Sequence, residues 1–150
     1  MRRVAATVTI VTVASDDGPV GMTATAVSAV AADPPSLLVC VNRSAAMHAS
    51  LERAERFCVN VLHREQEELA RTFSDQRLRH LRFGSGNWNF SDDGPPVLIE
   101  AQASLVCERQ QLIAFATHSI CIGVVRAVRA RDEVDPLLYL NGAYSRSACP

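Results

Sequence analysis

The chain has 150 residues, 48% of them hydrophobic, with 16 acidic and 15 basic side chains and a formal net charge of -1. Such a length and apolar content suit one globular domain, residues 1–150, and the basic residues are all arginine, so Schiff-base chemistry and a phosphate-loop lysine are excluded. The arginines are scattered from Arg2 to Arg146 with no basic stripe, which argues against nucleic acid as a partner.

Taken in order, the sequence alternates strand-like runs with strong punctuation. The opening MRRVAATVTIVTVAS imitates a secretory leader, but Thr7, Thr9 and Thr12 interrupt it and β-branched residues dominate, so it reads as a strand. No apolar stretch approaches the ~20 residues of a membrane helix, and no membrane association is expected. Asp16 to Pro19 marks a turn, and GMTATAVSAV is expected as a single strand of small and β-branched residues. Asp33-Pro34-Pro35 ends that run, and SLLVCV opens a buried strand. Three strands have then passed with no room for a crossover helix, which implies antiparallel pairing.

A helix is expected from about Ser44 to Ala54, then the strand RFCVNVL, then a helix in REQEELARTF with Glu65, Glu67 and Glu68 in its first turn. Gly84 to Pro96 reads as a loop carrying Trp88 and Phe90. The last third supplies PVLIEAQASLVCERQ, LIAFATHSICIGVVRAVRA and PLLYLNGAY, with a tight turn at Asn141-Gly142. Six or seven strands and two short helices indicate a mainly β protein, a closed or nearly closed antiparallel barrel.

Chemistry-bearing motifs are sparse. There is no G-x-S-x-G, no paired-carboxylate motif and no G-x-G-x-x-G. Cys40, Cys58, Cys107, Cys121 and Cys149 form no metal-ligand or disulfide pattern; they read as free thiols, mostly buried, in a reducing, cytoplasmic compartment, and no metal site is expected. His48, His63 and His80 have surface-like contexts. Thr23, Thr25 and Ser28 stand among Ala24, Ala26 and Ala29, a combination of hydroxyls and little bulk that lets a planar ligand approach the backbone. The plainer alternative, a packed strand whose threonines serve β-propensity, is favoured on composition alone.

The whole pattern of GMTATAVSAVAADPPSLLVCVNRSAAMH, FCVNVLHREQEELARTF, Arg82-Phe83, ATHSICIGVV and PLLYLNGAY resembles the short-chain flavin reductase family. These are the reductase components of two-component flavin-dependent monooxygenases, such as the hydroxyphenylacetate and chlorophenol hydroxylase systems. The resemblance implies an FMN-binding split barrel with two or three short helices that forms a homodimer, with FMN or FAD near the subunit interface. It further implies hydride transfer from NADH or NADPH to that flavin, and reduced flavin diffusing to a partner monooxygenase. By matching positions, Thr23, Ala24, Thr25, Ala26, Val27 and Ser28 are expected to line the isoalloxazine ring. Asn42, Arg43 and Ser44 are expected at the flavin phosphate, which suits a helix N-terminus with Arg and Ser beside it.

His118, in Ala116-Thr117-His118 where the family carries Gly-x-His, is the expected catalytic residue on the nicotinamide side. Phe73 and Phe83 match positions near the flavin, although core packing explains Phe73 equally well, and Tyr144 is placed to close over the nicotinamide. Ala116 in place of glycine, and Ser145 in place of a basic residue after Tyr144, favour a rival: a flavin-binding module without turnover. A second rival is a reductase passing electrons to another acceptor, such as a corrinoid or ferric complex.

Overall fold

The structure is a computed structural model that describes residues 2–92 and 94–146. In chain order it contains β1 (Ala6–Thr7), β2 (Thr9–Ser15), β3 (Gly18–Ala24), β4 (Val27–Ala32), β5 (Pro35–Asn42), α1 (Ala46–Arg53) and β6 (Arg56–Val61). A 3-10 turn, Arg64–Gln66, runs directly into α2 (Glu67–Ser74), and a 3-10 stretch at Gln76–Leu81 follows. The chain then forms β7 (Trp88–Asn89), β8 (Val97–Leu98), β9 (Ala103–Phe115), β10 (His118–Ala130), β11 (Leu137–Leu140) and β12 (Ala143–Arg146).

The main sheet has seven strands in the order β3-β2-β6-β9-β10-β5-β4, and its pairings are antiparallel. Its two edges, β3 and β4, are consecutive in the chain and joined by only Thr25 and Ala26. Laid flat, seven strands at ~4.8 Å would hold those edges roughly 29 Å apart. Three Cα steps from Ala24 to Val27 reach about 11 Å at most. The sheet must therefore curl on itself, and the expected mainly β, antiparallel split barrel is what forms.

The long hairpin β9–β10 carries much of the bend. Its register shifts between Ile122 and Gly123 and again between Val125 and Ala127, and such bulges increase local coiling. Gly123 permits the first: a Cβ there would stand 2.6 Å from the Phe57 ring.

Segmentation differs from the sequence reading in several places, each for a physical reason. GMTATAVSAV is not one strand; it breaks at Thr25-Ala26 because the chain must leave one barrel edge for the other. LIAFATHSICIGVVRAVRA folds back at Ala116-Thr117, so its first part belongs to β9 and its second to β10. PVLIEAQASLVCERQ is interrupted at residues 99–102, where Ala101 is buried and Gln102 turns to bond the backbone of Glu133 and Asp135. The helix expected from about Ser44 begins at Ala46, and a short β7–β8 pairing holds Trp88 within the expected loop.

Two apolar clusters make the core. Inside the barrel, Val11, Val13, Val39, Val41, Phe57, Val59, Cys107 and Cys121 meet Met47 and Leu51 from α1, which plugs one end. Outside it, Val8, Ile10, Leu62, Leu98 and Leu137 receive Leu69, Ala70 and Phe73, the apolar stripe of α2. β2 serves both, because successive side chains point to opposite faces: Ile10 outward to α2, Val11 inward.

One fully buried polar residue ties these layers together. Asn60 Nδ2 donates to the Ile10 carbonyl at 3.1 Å and to Thr12 Oγ1 at 3.3 Å, while its Oδ1 accepts from the Leu98 amide at 2.8 Å and Ser104 Oγ at 2.9 Å. Both ends of the amide are satisfied, as burial demands.

Cys58, Cys107 and Cys121 are buried free thiols, Cys40 is half-buried, and Cys149 lies outside the described residues. Burial pushes Cys58 and Cys107 up to about 12 and Cys121 to about 11, against 9.0 in an open chain. Below pH 9 both folded and unfolded chains hold these protons, so the thiols add no pH dependence. Between about pH 9 and 11 the unfolded chain releases them first, so stability falls as pH rises, by up to about 1.4 kcal/mol per thiol per pH unit. Urea unfolding at pH 8 and pH 10 is expected to show the midpoint dropping; equal midpoints would contradict the burial of these thiols.

Candidate functional site

Two clefts gather six of the thirteen expected site residues, and they share no lining residue. The first, about 720 Å³, is lined by Thr23 and Thr25 from the barrel edge, Arg71 and Ser74 from α2, Asp75, and Tyr139 and Tyr144 from the β11–β12 hairpin. The second, about 680 Å³, is lined by Asn42, Arg43, Ser44, His48 and Glu52 around α1, and by Thr117 of the β9–β10 turn.

The second cleft has the chemistry of an anion cradle. Asn42 Oδ1 accepts from the Ser44 amide at 2.9 Å and from Ser44 Oγ at 2.8 Å, which fixes the loop just ahead of α1. The helix's own N-cap is Ala45, whose side chain has nothing to offer the first-turn amides. Helices normally satisfy those donors with a Ser, Thr, Asp or Asn cap, and a helix lacking one leaves them to an external acceptor. Arg43 stands exposed beside them. Positive helix end, guanidinium and hydroxyl together fit a phosphate.

His118 opens β10 directly opposite Asn42 of β5, so sheet register brings it beside this loop. It is exposed, and its Nδ1 lies 2.9 Å from Thr117 Oγ1, which leaves Nε2 for a ligand. The turn before it contains Ala116 at φ 49°, in the left-handed region that favours glycine. The family's glycine thus has a physical reason, and alanine bears strain here. Ala116→Gly is expected to raise stability by about 0.5–1 kcal/mol, less than the full left-handed cost because glycine also loosens the unfolded chain. Thermal unfolding checks this, and a lower midpoint would rule it out.

In the first cleft, Thr23 spends its hydroxyl proton on the Ala70 carbonyl at 2.7 Å, tying β3 to α2. Tyr144 packs edge-on against Tyr139, with the Arg71 guanidinium 5.0 Å from its ring centroid. Arg71 is itself held on Glu67 Oε1 at 2.6 Å. Burial raises the Tyr144 phenol above its ordinary value. Thr25 and Ala26 form the link between barrel edges, and the Ala26 carbonyl accepts from the Cys40 amide. Ala24 is buried and receives the Thr9 hydroxyl, Val27 packs on the barrel core, and Ser28 is exposed on β4.

Phe73 and Phe83 line neither cleft. Phe73 is 1% exposed and packs with Phe83 and Trp88 at ring separations of 5.0 and 5.5 Å. Of the two readings open for Phe73, the structure supports core packing. Phe83 adopts φ 65° as its ring joins the cluster.

Two histidines read as surface residues are in fact buried. His48, on the inner face of α1, has Nε2 2.8 Å from Ser119 Oγ and Nδ1 3.7 Å from Glu52 Oε1. His63 caps the turn before α2. His80 is exposed as expected. His48, Glu52 and Arg71 were not legible as cleft residues because only the placement of two short helices against the barrel brings them there.

A curled antiparallel barrel with one cleft at the N-terminal end of α1 and a second, aromatic and hydroxyl-lined, at the barrel edge belongs to the split-barrel class. A family description, flavin reductase like domain, matches residues 1–148. The chain is 39% identical over 146 residues to the reductase component of the FADH(2)-dependent resorcinol hydroxylase of a Rhizobium species, covering 96% of this chain and 82% of that protein. It is 38% identical over 144 residues to an FMN reductase (NADH), RutF 2, of Rhizobium rhizogenes, covering 96% and 83%. Among solved structures, the NADH:FAD oxidoreductase SgcE6 of Streptomyces globisporus, in complex with NAD and FAD fragments, superposes with a TM-score of 0.90 at 32% identity over 97% of this chain and 87% of that one. BorF, the flavin reductase component of a bacterial two-component tryptophan halogenase, gives 0.88 at 32% identity over 97% and 92%. The chain belongs to the flavin reductase family.

Proposed function

We propose that this protein is an NADH:flavin oxidoreductase that supplies reduced FMN or FAD to a partner monooxygenase. The observation that carries the reading is the Asn42–Ser44 loop at an uncapped helix end beside a cleft, with His118 set against it by sheet register. A bound flavin supplies the hydride-accepting ring. The protein's task is to hold that ring against the nicotinamide and to place donors where negative charge develops. Asn42, Arg43 and Ser44 hold the phosphate end, the Thr25 to Ser28 link and edge strand flank the ring, and His118 faces the nicotinamide side. No protein nucleophile is required, in keeping with the absence of any such motif in the sequence.

The site is completed by a second copy. Ser28 to Ala32 of the edge strand β4 are exposed on both faces although mostly apolar, with Val30 at 49%; Ile113 at 44% and Phe115 at 72% are also uncovered on β9. An uncovered apolar edge strand is a pairing surface. A homodimer covers it and lets flavin sit at the interface, which accounts for two clefts that stay separate within one chain. The free thiols suit a reducing, cytoplasmic setting, and among the described residues no helix is long and apolar enough to cross a membrane.

Steady-state NADH oxidation by the purified protein is expected to depend on added FMN or FAD. Flavin retained through dialysis with no NADH oxidation would replace this reading with a carrier. A rate set by a corrinoid or ferric acceptor at fixed flavin would replace it with a reductase of another acceptor.

A further inference from the structure

We propose that His63, Glu133 and Asp135 form a site for a divalent cation of the zinc class that clamps the start of α2 to the segment entering β11. A ring nitrogen of His63 and carboxylate oxygens of Glu133 and Asp135 lie within 4.8 Å of one another. His63 is 3% exposed, and its Nε2 has no hydrogen-bond partner among the described residues. Buried polar atoms are seldom left so, and a cation shared with the two carboxylates would give that nitrogen a partner.

The other ring nitrogen has a carboxylate within reach. Nδ1 faces Glu65, 3.4 Å from its amide and 3.6 Å from its Oε2. A cation on Nε2 would put the ring proton on Nδ1, exchanging the bond it accepts from the Glu65 amide for one it donates to the Glu65 carboxylate, the arrangement that orients metal-bound histidines. The ring's position is fixed by the turn it caps, since the His63 amide donates to Gln66 Oε1 at 2.9 Å. The carboxylate segment is fixed separately: Gln102 donates to the Glu133 carbonyl at 2.8 Å and accepts from the Asp135 amide at 2.7 Å. Asp135 also holds Arg64 through Oδ2 at 2.9 Å, so it would bridge guanidinium and cation. Glu65, Glu133 and Asp135 against Arg64 leave the neighbourhood net negative, as a dication requires.

Donors around zinc at ~2.1 Å stand about 3.4 Å apart, so the three must draw together by roughly an ångström. Glu133 is exposed and can make that movement. Three protein ligands leave one position for water. α2 and the β11–β12 hairpin carry opposite walls of the first cleft, so the clamp would brace that cleft. The sequence gives no metal-binding spacing because the ligands come from segments seventy residues apart.

The test is calorimetric titration of chelator-stripped protein with Zn²⁺ at pH 7, with thermal unfolding in parallel, for the wild type, Glu133→Gln and His63→Ser. Serine retains the helix-capping role while removing the ligand. Expected are one Zn²⁺ per chain, a melting point raised by about 5–10 °C near 100-fold the dissociation constant, at least tenfold weaker binding in Glu133→Gln, and none at this site in His63→Ser. No binding by the wild type overturns the proposal. So does Zn²⁺ bound equally well by Glu133→Gln, a variant of an exposed side chain that keeps the fold even where His63→Ser does not; the ion would then be elsewhere, on His80 or His118.

Discussion

Replacing Asn60 by aspartate is expected to destabilise the domain by about 3–5 kcal/mol at pH 7, a large share of the roughly 5–15 kcal/mol that holds a domain together. The oxygen that replaces Nδ2 would face the Ile10 carbonyl at 3.1 Å and Thr12 Oγ1 at 3.3 Å, with no proton for the carbonyl and a charge buried at the junction of four strands. The loss has a pH signature. Burial raises the folded-state pKa of the new carboxyl above its open-chain value near 4, so the penalty grows as pH rises above that value and vanishes below it, where the protonated acid can donate as the amide did. Asn60→Ala is expected to cost less and to show no such recovery. Urea unfolding of both variants at pH 4 and pH 7 checks this; an aspartate variant equally stable at both would show that Asn60 is not the buried donor described.

The second large effect falls on binding. Arg43→Ala is expected to raise the flavin dissociation constant about 10- to 100-fold, the range for a charge-assisted contact to phosphate, with kcat at saturating flavin unchanged and the apparent KM for NADH little affected. Riboflavin, which lacks the phosphate, separates this role from a general disturbance of the loop: the variant should bind riboflavin as the wild type does. A variant that binds FMN normally would move the phosphate away from the α1 end. Among the described residues Arg43 makes no ion pair, so its loss strands no partner there and the fold should be unaffected.

Much of the protein is legible without coordinates. Period-two runs of β-branched residues, punctuated by Asp-Gly, Asp-Pro-Pro and Asn-Gly, give an antiparallel mainly β fold because alternation and turn chemistry act over a few residues. The stripe Leu69, Ala70 and Phe73 gives α2 for the same reason, and the ordered motifs give the flavin reductase family.

Other features depend on residues far apart in the chain. The break at Thr25-Ala26 has no local cause; it follows from closing a seven-stranded sheet with a two-residue link. The asparagine in FCVNVL looks like one polar residue in an apolar strand, and only the approach of Ile10, Leu98 and Ser104 makes it the polar centre of the core. His63 sits beside charged residues in sequence and His48 beside small ones, and both are buried by partners far away, the Asp135 segment in the first case and Ser119 in the second. The sequence by itself determined strand pattern, helices and family, because these rest on local periodicity and motif order. Tertiary structure decided which polar groups are buried, which of the expected ligand residues share a cleft, and that Phe73 belongs to the core, because burial is set by chain closure and not by neighbours in sequence.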